Sequence, residues 1–485
     1  MTNFLSILLM FFKKHKKLSF LISFLALILV YILLVTLPYT NQGDVSNSTK
    51  DSFNMSDYYS DTTSCDRASI LFDNEDALIE RLRIINNAND TITLSTFDFH
   101  ADNSGKLMLA SLYASAKRGV KVNILIDGMS YFTNFQNRSY FTALGSLDNV
   151  TIKIYNPINF LKPHKLMARM HDKYLIVDNS IYILGGRNTY DYFLGNDTNY
   201  KNYDWDILVY NTDKDNIASS SIKQIKDYFN SVWNLEDSKV KCDSVSMFNE
   251  SKVNTATYDL ENIYNNSITS NPTWYEVIDY EDTTVATNNI KLISNPINSS
   301  IKEPTLLYNM TELMLHSNAD IDLHTPYIIC NNYMTHRLKL ICDNNQFTLM
   351  TNSIANNGNP FGATDYKLHK EELINTGLDI LEYDSGISYH GKCFTIGDRI
   401  TSIGSFNLDM RSAYLDTELM LVIDSKALNS LMKDYMQEYE KDALVVLSKD
   451  SYELKDNQTL LALTPKRKLR IKLITPFNWL LRYLM

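Results

Sequence analysis

Cysteine is scarce in this chain: five in 485 residues, at positions 65, 242, 330, 342 and 393. No C-x-x-C pair and no Cys/His ligand spacing occurs, which argues against a zinc module. The odd count leaves at least one thiol unpaired. Cys65 and Cys242 lie outside the strand-like runs and are the better disulfide candidates. Basic charge is also short. The formal net charge is −10. Ten of the cations sit in two clusters free of acids. The first is Lys13, Lys14, Lys16 and Lys17; the second is Lys466, Arg467, Lys468, Arg470, Lys472 and Arg482. Without these ten positive charges the remaining body stands near −20. Enzymes of nucleic acids usually present a basic surface to the phosphate backbone. An acidic body argues against DNA or RNA as substrate.

Long apolar runs are missing, with one exception. Leu18 to Leu37 carries no charge over twenty positions, enough to cross a hydrocarbon core. The run Phe4 to Phe12 is too short to span and suits the interface. Lysines precede the long run and few basic residues follow it, so the positive-inside rule puts the body outside the cytoplasmic membrane. Val35-Thr36-Leu37 is a poor cleavage site, which favours an uncleaved single-pass anchor over a signal peptide. Six segments follow. Residues 1–41 are the basic segment and anchor, and 42–65 read as a flexible polar tether. Residues 66–242 form a first half, 243–289 a linker or irregular insertion, and 290–455 a second half. Residues 456–485 form a basic tail with interleaved Leu, Phe and Trp, suited to an anionic bilayer. Pro465 and Pro476 argue against one long helix there.

The two halves repeat one another. Each has an H-x-K triplet in an apolar, strand-like run: His171-Asp172-Lys173 and His390-Gly391-Lys392. Each is followed by a turn ending in Asn, Gly185-Gly186-Arg187-Asn188 and Gly404-Ser405-Phe406-Asn407. The spacing from His to the first Gly is 14 residues in both. Farther on, an acid opens an apolar strand, Asp206 in one copy and Glu418 in the other. Asp204 and Asp416 stand two positions earlier, on the same face of a strand, so a shift of two is an open alternative. Apolar periodicity predicts a helix and three strands before each H-x-K: a helix near 77–85 and one near 305–315, then strands near 89–96, 120–126 and 149–155 and near 318–325, 347–351 and 378–383. Gly119 and Gly377 sit where helix C-caps belong. The pattern predicts a duplicated α/β sandwich with the site between its halves.

This residue set suits a phosphodiester. A neutral imidazole attacks phosphorus, and a protonated one serves the leaving alkoxide. Lys173, Lys392, Asn188 and Asn407 would hold the phosphoryl oxygens. Ser405 is a candidate for phosphate or for backbone, and Gly186 and Arg187 are further candidates for substrate contact. The chemistry calls for no metal and no cofactor. His100 and His324 are weaker candidates for the cleft wall.

These residues resemble the phospholipase D superfamily, whose signature is H-x-K-x4-D-x6-G-(S/G)-x-N in two copies. HDKYLIVDNSIYILGGRN matches throughout, including Asp178. HGKCFTIGDRITSIGSFN departs at one place, where Gly397 replaces the Asp and Asp398 follows. The likeness runs from about Ile70 to about Ser448. GGRN, Y-D-W-D and T-N-S-I look most like bacterial cardiolipin synthases. The resemblance implies that His171 is the nucleophile and His390 the general acid/base, with the reverse assignment open. It implies that Asp206 and Glu418 each orient a histidine, across the duplication axis. Asp178 would hold local structure. The implied substrate is an anionic phospholipid, phosphatidylglycerol, with a lipid or water as acceptor. Phosphatidyl transfer, phospholipid hydrolysis and, less so, an exported nuclease are the activities to separate. A degenerate, non-enzymatic lipid-binding scaffold is motivated by Gly397 alone. Oligomeric state is not legible.

Overall fold

The computed structural model describes residues 16–134, 138–196, 198, 200–455 and 458–485. Residues 1–15, with Lys13, Lys14 and the run Phe4 to Phe12, lie outside the described residues. Two sheets of nine strands each carry the fold, one per half. In the first, strands run in the spatial order Asp66–Leu71, Asp206–Asn211, Ile181–Gly185, Tyr174–Val177, Thr91–Thr96, Lys121–Asp127, Val150–Tyr155 and Ser238–Lys241, with Val285–Ala286 added beside Asp66–Leu71. The second repeats the order: Asn289–Ser294, Leu419–Asp424, Ile400–Gly404, Cys393–Ile396, Ile321–His324, Phe347–Asn352, Asp379–Tyr383 and Ala443–Ser448, with Ser451–Glu453 at its edge. In both, the three strands before the H-x-K run are parallel to one another and the rest are antiparallel.

Helices cover these sheets because their apolar faces need partners. Asn74–Asn86 and Asn103–Lys117 bury Leu78, Leu82, Met108 and Leu112 against the first sheet. Thr305–Leu315 and Asn332–Cys342 do the same in the second. A further core is shared by both halves. Ile176, Trp205 and Ile207 of the first half meet Tyr389, Leu419 and Leu421 of the second, with the helices Ser221–Trp233 and Lys426–Glu440. Gly119 and Gly377, at φ +101° and +95°, end their helices in the left-handed region, where a side chain would be strained.

Four expectations need correction. Residues 243–289 are not irregular: Glu250–Ser270 is a helix of 21 residues. It buries Val253, Ala256 and Leu260 against the first half. Its apolar positions are few and separated by Asn, Ser and Thr, which hides the period. Residues 42–65 are not a loose tether. Asn47–Ser52 is helical, Tyr58 is buried, and Thr49 donates to Glu303 at 2.9 Å while Ser60 N–H donates to Asp424 at 3.0 Å. Polar composition here reflects a hydrogen-bonded cap over the second half. The tail packs on the body as well as exposing apolar groups. Asn478 donates to Asp365 at 2.7 Å, Arg482 pairs with Asp365 at 3.2 Å, and Leu484 is buried. Leu469, Leu473, Phe477 and Trp479 remain exposed. Finally, Cys65 and Cys242 are both free, next to Ser219 and Tyr131 respectively.

A pair of substitutions checks the helix after the first half. Leu260→Ala is expected to cost about 2–5 kcal/mol of stability. Tyr258→Ala, on the exposed face, is expected to stay within about 0.5 kcal/mol. Denaturant titration of the two variants reads the difference. Two neutral results would return the segment to a linker.

Candidate active site

The two H-x-K runs approach each other where the halves meet. Short parallel bridges bring this about: Met170 lies beside Thr417, and Ser388-Tyr389 beside Asn202-Tyr203. Backbone bonds continue the pairing onto the histidines themselves. His171 N–H donates to Thr417 O at 3.2 Å and His390 N–H to Tyr203 O at 2.6 Å. His171 and His390 then line one cleft of about 220 Å³, with Asn188, Asn407, Phe97 and Tyr327. Ring edges pack each imidazole: Phe97 lies 5.1 Å from His171 and Phe193 5.0 Å from His390, centroid to centroid.

Each imidazole meets a carboxylate from the other half. His171 Nδ1 is 2.8 Å from Glu418 Oε1. His390 Nδ1 is 2.5 Å from Asp204 Oδ2. In each case the carboxyl engages Nδ1, which turns Nε2 to the chemistry, with Lys392 Nζ 3.4 Å from that of His390. Asp206 does not take the part expected of it. Its carboxylate is fully buried between Arg81, at 2.9 Å, and Arg187, at 3.0 Å. The register explains the shift of two. Gly185 pairs with Asp206, whereas the equivalent Gly404 pairs with Met420, so Glu418 corresponds to Asp204.

Arg187 is corrected with it. The guanidinium is buried and bonded to Asn74, Leu71 O and Phe72 O besides Asp206, which leaves nothing for a substrate. Gly186 stands against Asp204, and a Cβ there would fall 2.1 Å from Asp204 Oδ1. It makes room for the carboxylate and does not face the cleft as a ligand. Gly391 does the same for Trp205, whose ring would lie 2.1 Å from an added Cβ. The first copy has no such ring, and Asp172 fits there. Tyr228 and Thr417 donate to it at 2.9 and 2.8 Å. Ser405 donates to Glu418 and thereby serves the carboxylate. Asp178 accepts from the N–H groups of Asn89, Asp90 and Thr91 at 2.8–3.0 Å, far from the cleft. At the equivalent place Gly397 keeps the left-handed backbone, φ +53° against +54°. His324 is buried between Tyr389 and Glu440, and His100 pairs with Asp98; neither lines the cleft.

Electrostatics separate the two histidines. Burial disfavours the Asp204 anion, but Lys392 and His390 overcome it and hold the carboxyl down at about 2. Glu418 goes the other way, pushed up to about 8 by burial against the opposing effects of Lys173, Ser405 and Ser412. Burial, then Lys392, lowers His390 to about 4. Burial, then Lys173, lowers His171 well below the usual imidazole range. Lys173 falls to about 8 through burial, with the Lys392 charge adding to it. Both ammonium groups donate to the carbonyl of their own histidine. Asn188 and Asn407 keep buried amide oxygens without a hydrogen bond. Residues that motif spacing does not single out also reach the cleft: Tyr327, Asn359, Asp409, Arg411 and Met485. Tyr327 and Asn359 come from loops, Asp409 and Arg411 from the short strand Leu408–Asp409 and the helix Met410–Tyr414, and Met485 from the tail.

Residues 82–233 and 310–442, more than half of the chain, match the family described as cardiolipin synthase, PLD-like domain. The chain belongs to that family. This places it among the phospholipase D-superfamily phosphatidyltransferases. Cardiolipin synthase C of Escherichia coli K12 is 24% identical over 422 residues, covering 78% of this chain and 85% of that one. A cardiolipin synthase of Clostridium perfringens SM101 is 25% identical over 377 residues, covering 75% and 68%. Among solved structures, phosphatidylserine synthase of Haemophilus influenzae Rd KW20 superposes with a TM-score of 0.60 at 14% identity, covering 86% of this chain and 95% of that one. That likeness speaks to the fold. The N-terminal helix Lys16–Thr36 is long and apolar enough to cross a membrane.

Asp204 and Asp206 give a sharp contrast. Asp204→Asn removes the anion beside His390 and Lys392 and is expected to lower kcat, per folded molecule, by about 100- to 10,000-fold. Asp206→Asn leaves Arg81 and Arg187 buried without their anion and is expected to cost about 3–5 kcal/mol of stability. Melting curves and initial rates of both variants distinguish them. Equal behaviour of the two would mean that the carboxylates are misassigned.

Proposed function

We propose that this family member makes cardiolipin from phosphatidylglycerol through a phosphohistidine. His171 Nε2 attacks phosphorus of one phosphatidylglycerol. The bond to the headgroup glycerol breaks, and His390 gives that alkoxide its proton. A hydroxyl of a second phosphatidylglycerol then loses its proton to His390 and attacks the phosphorus. The histidine–phosphorus bond breaks and cardiolipin leaves. Lys173, Lys392, Asn188 and Asn407 bear the charge of the equatorial oxygens, so no step runs through a metal.

The division of labour rests on one observation: the Lys392 ammonium lies 3.3 Å from Asp204, whereas serine hydroxyls, of Ser405 and Ser412, occupy Glu418. An ionised partner supports an imidazolium, which suits His390 to carrying protons. A carboxyl raised to about 8 supports it less, which keeps His171 a neutral nucleophile. The membrane reading is that Lys16–Thr36 is a single-pass anchor with the catalytic body outside the cytoplasmic membrane. The acidic body favours lipid over nucleic acid.

Lipid profiling of a cardiolipin-deficient host expressing the chain tests the product. Cardiolipin supports transfer; phosphatidic acid alone would make the enzyme a phospholipase D. His171→Ala is expected to abolish both turnover and the covalent adduct. His390→Ala is expected to stall turnover yet trap the adduct from a substrate whose leaving group needs no proton. An adduct in the first variant and none in the second would reverse the roles.

The pH profile carries a sign. kcat/KM reports groups of the free enzyme. His390, held at about 4, must carry a proton to serve the leaving alkoxide, so kcat/KM is expected to decline as pH rises through about 4; loss of the Lys173 ammonium through about 8 adds a second, steeper fall, well before an ordinary lysine titrates near 10.4. Neutral His171 persists well below its usual range, so the acid limb is expected below about pH 6.5. A short-chain soluble phosphodiester measures both limbs. No added fall between about pH 8 and pH 10 would remove Lys173 from the phosphate site.

A further inference from the structure

A second concave site lies outside the catalytic cleft. It has a volume of about 300 Å³ and is lined by Lys162, Lys165, Arg169, Lys239 and Lys241, with Asp237 the acid among the lining residues. Asp237 is already engaged, by Lys165 at 2.7 Å and by Ser299. The side chains of Lys162, Lys239 and Lys241 make no hydrogen bond or salt bridge among the described residues. Arg169 is buried, and its Nε and Nη2 donate to Ala168 O and Asn156 O at 2.7 and 2.9 Å. Its Nη1 has no hydrogen bond; the nearest carboxylate oxygen, on Asp127, is 3.5 Å away. Positive charge thus exceeds negative charge in a body that is acidic elsewhere.

The neighbours of this site are apolar and exposed. Leu161 is 92% exposed and Phe160 59%, and Phe132 packs edge-on against Phe160 at 5.9 Å. The same loop touches the anchor helix. Tyr31 OH donates to Phe160 O at 3.0 Å, and Tyr39 OH donates to His164 O at 2.6 Å. Tyr31 lies within the apolar helix, so with that helix across a bilayer Phe160 and Leu161 would stand at the depth of hydrocarbon near its end. The lysines that follow stand at the depth of headgroups, where long cationic side chains settle.

We propose that this site holds the phosphate of an anionic phospholipid of the bilayer that carries the anchor, with Phe160 and Leu161 seated among its acyl chains. Lys162, Lys239, Lys241 and Arg169 Nη1 supply the donors. The site rests on the helix Lys16–Thr36 spanning a bilayer, as proposed above, and not on the transfer chemistry. Its occupant is a lipid retained beside the anchor, separate from the phosphodiester that reacts between the histidines.

Hydrogen exchange of the full chain tests this, in nanodiscs of phosphatidylcholine alone, of phosphatidylcholine with phosphatidylglycerol, and of phosphatidylcholine with added inorganic phosphate. Segments 156–168 and 238–242 are expected to exchange more slowly when phosphatidylglycerol is present. The variant Lys162→Gln/Lys239→Gln/Lys241→Gln is expected to need roughly tenfold more phosphatidylglycerol for half of that protection. These positions are exposed, and an unchanged melting temperature certifies the fold. Equal protection in phosphatidylcholine alone would reduce the site to an apolar contact and overturn it. Equal protection by inorganic phosphate would overturn the lipid assignment. Protection along Lys16–Thr36 with none at the pocket overturns the site alone; rapid exchange along that helix overturns the anchor and the site together. Neither result depends on turnover, so a failure of cardiolipin synthesis is read separately.

Discussion

Everything in the cleft depends on carboxylates crossing between the halves. Glu418 of the second half holds His171 of the first, and Asp204 of the first holds His390 of the second. A half folded alone would present an imidazole with Nδ1 unengaged and a buried acid with no cationic partner, and the latter is expensive in an apolar setting. The parallel bridges at Met170–Thr417 and Tyr389–Tyr203 are the backbone counterpart of the same exchange. Fold and site are therefore one cooperative unit: the shared core of Trp205, Tyr389 and Leu419 sets the distance over which each acid reaches its histidine.

Exact duplication would give two equal histidines, and the proposed two-step transfer needs unequal ones. Small departures from symmetry break the tie. An aspartate faces His390 and a glutamate faces His171. Lys392 stands 3.3 Å from Asp204, while Ser405 and Ser412 donate to Glu418. Burial pushes both carboxyls up; at Asp204 the charges of Lys392 and His390 outweigh it, whereas at Glu418 Lys173, Ser405 and Ser412 do not, which leaves them near 2 and 8. Trp205 and Gly391 mark a further departure. The ring occupies space that Asp172 fills in the other copy, and its N–H donates to Tyr389 OH beside the histidine.

Much of the fold is legible in the sequence because duplication lets each half vouch for the other. The helix and three strands before each H-x-K lie close to where periodicity puts them, and the motif residues His171, His390, Asn188 and Asn407 share one cleft. The carboxylate is harder. Asp204 and Asp206 lie on one face of an extended run, and only strand register separates them; register is a property of pairing, which spacing along one chain does not carry. Arg187 looks like a substrate ligand because it sits inside the motif, yet its partners Asn74 and Leu71 O are distant in sequence. The helix Glu250–Ser270 is hidden because it buries only a narrow stripe. The cap at 42–65 is hidden because its order comes from hydrogen bonds to Glu303 and Asp424, which composition does not reveal.

The apolar helix Lys16–Thr36 and the stretch after it are tied closely to the body. Tyr39 OH binds His164 O, seven residues before the histidine that lines the cleft. Gln42 donates to Tyr483 O at 2.8 Å. Arg411, itself at the cleft, donates its backbone N–H to Met485 O and its guanidinium to Met167 O. The helix exit, the end of the tail and one wall of the cleft are thus tied by short bonds, not by a flexible linker. A flexible tether would let the cleft face any direction, and each reaction would need a separate encounter with the surface. With Lys16–Thr36 across a bilayer, as proposed, a rigid mount would fix the cleft's height and tilt relative to that bilayer and remove the orientational cost before a lipid arrives. On that reading, a polar stretch just after an apolar span is folded down onto the body because its order would help to position the site at the membrane surface.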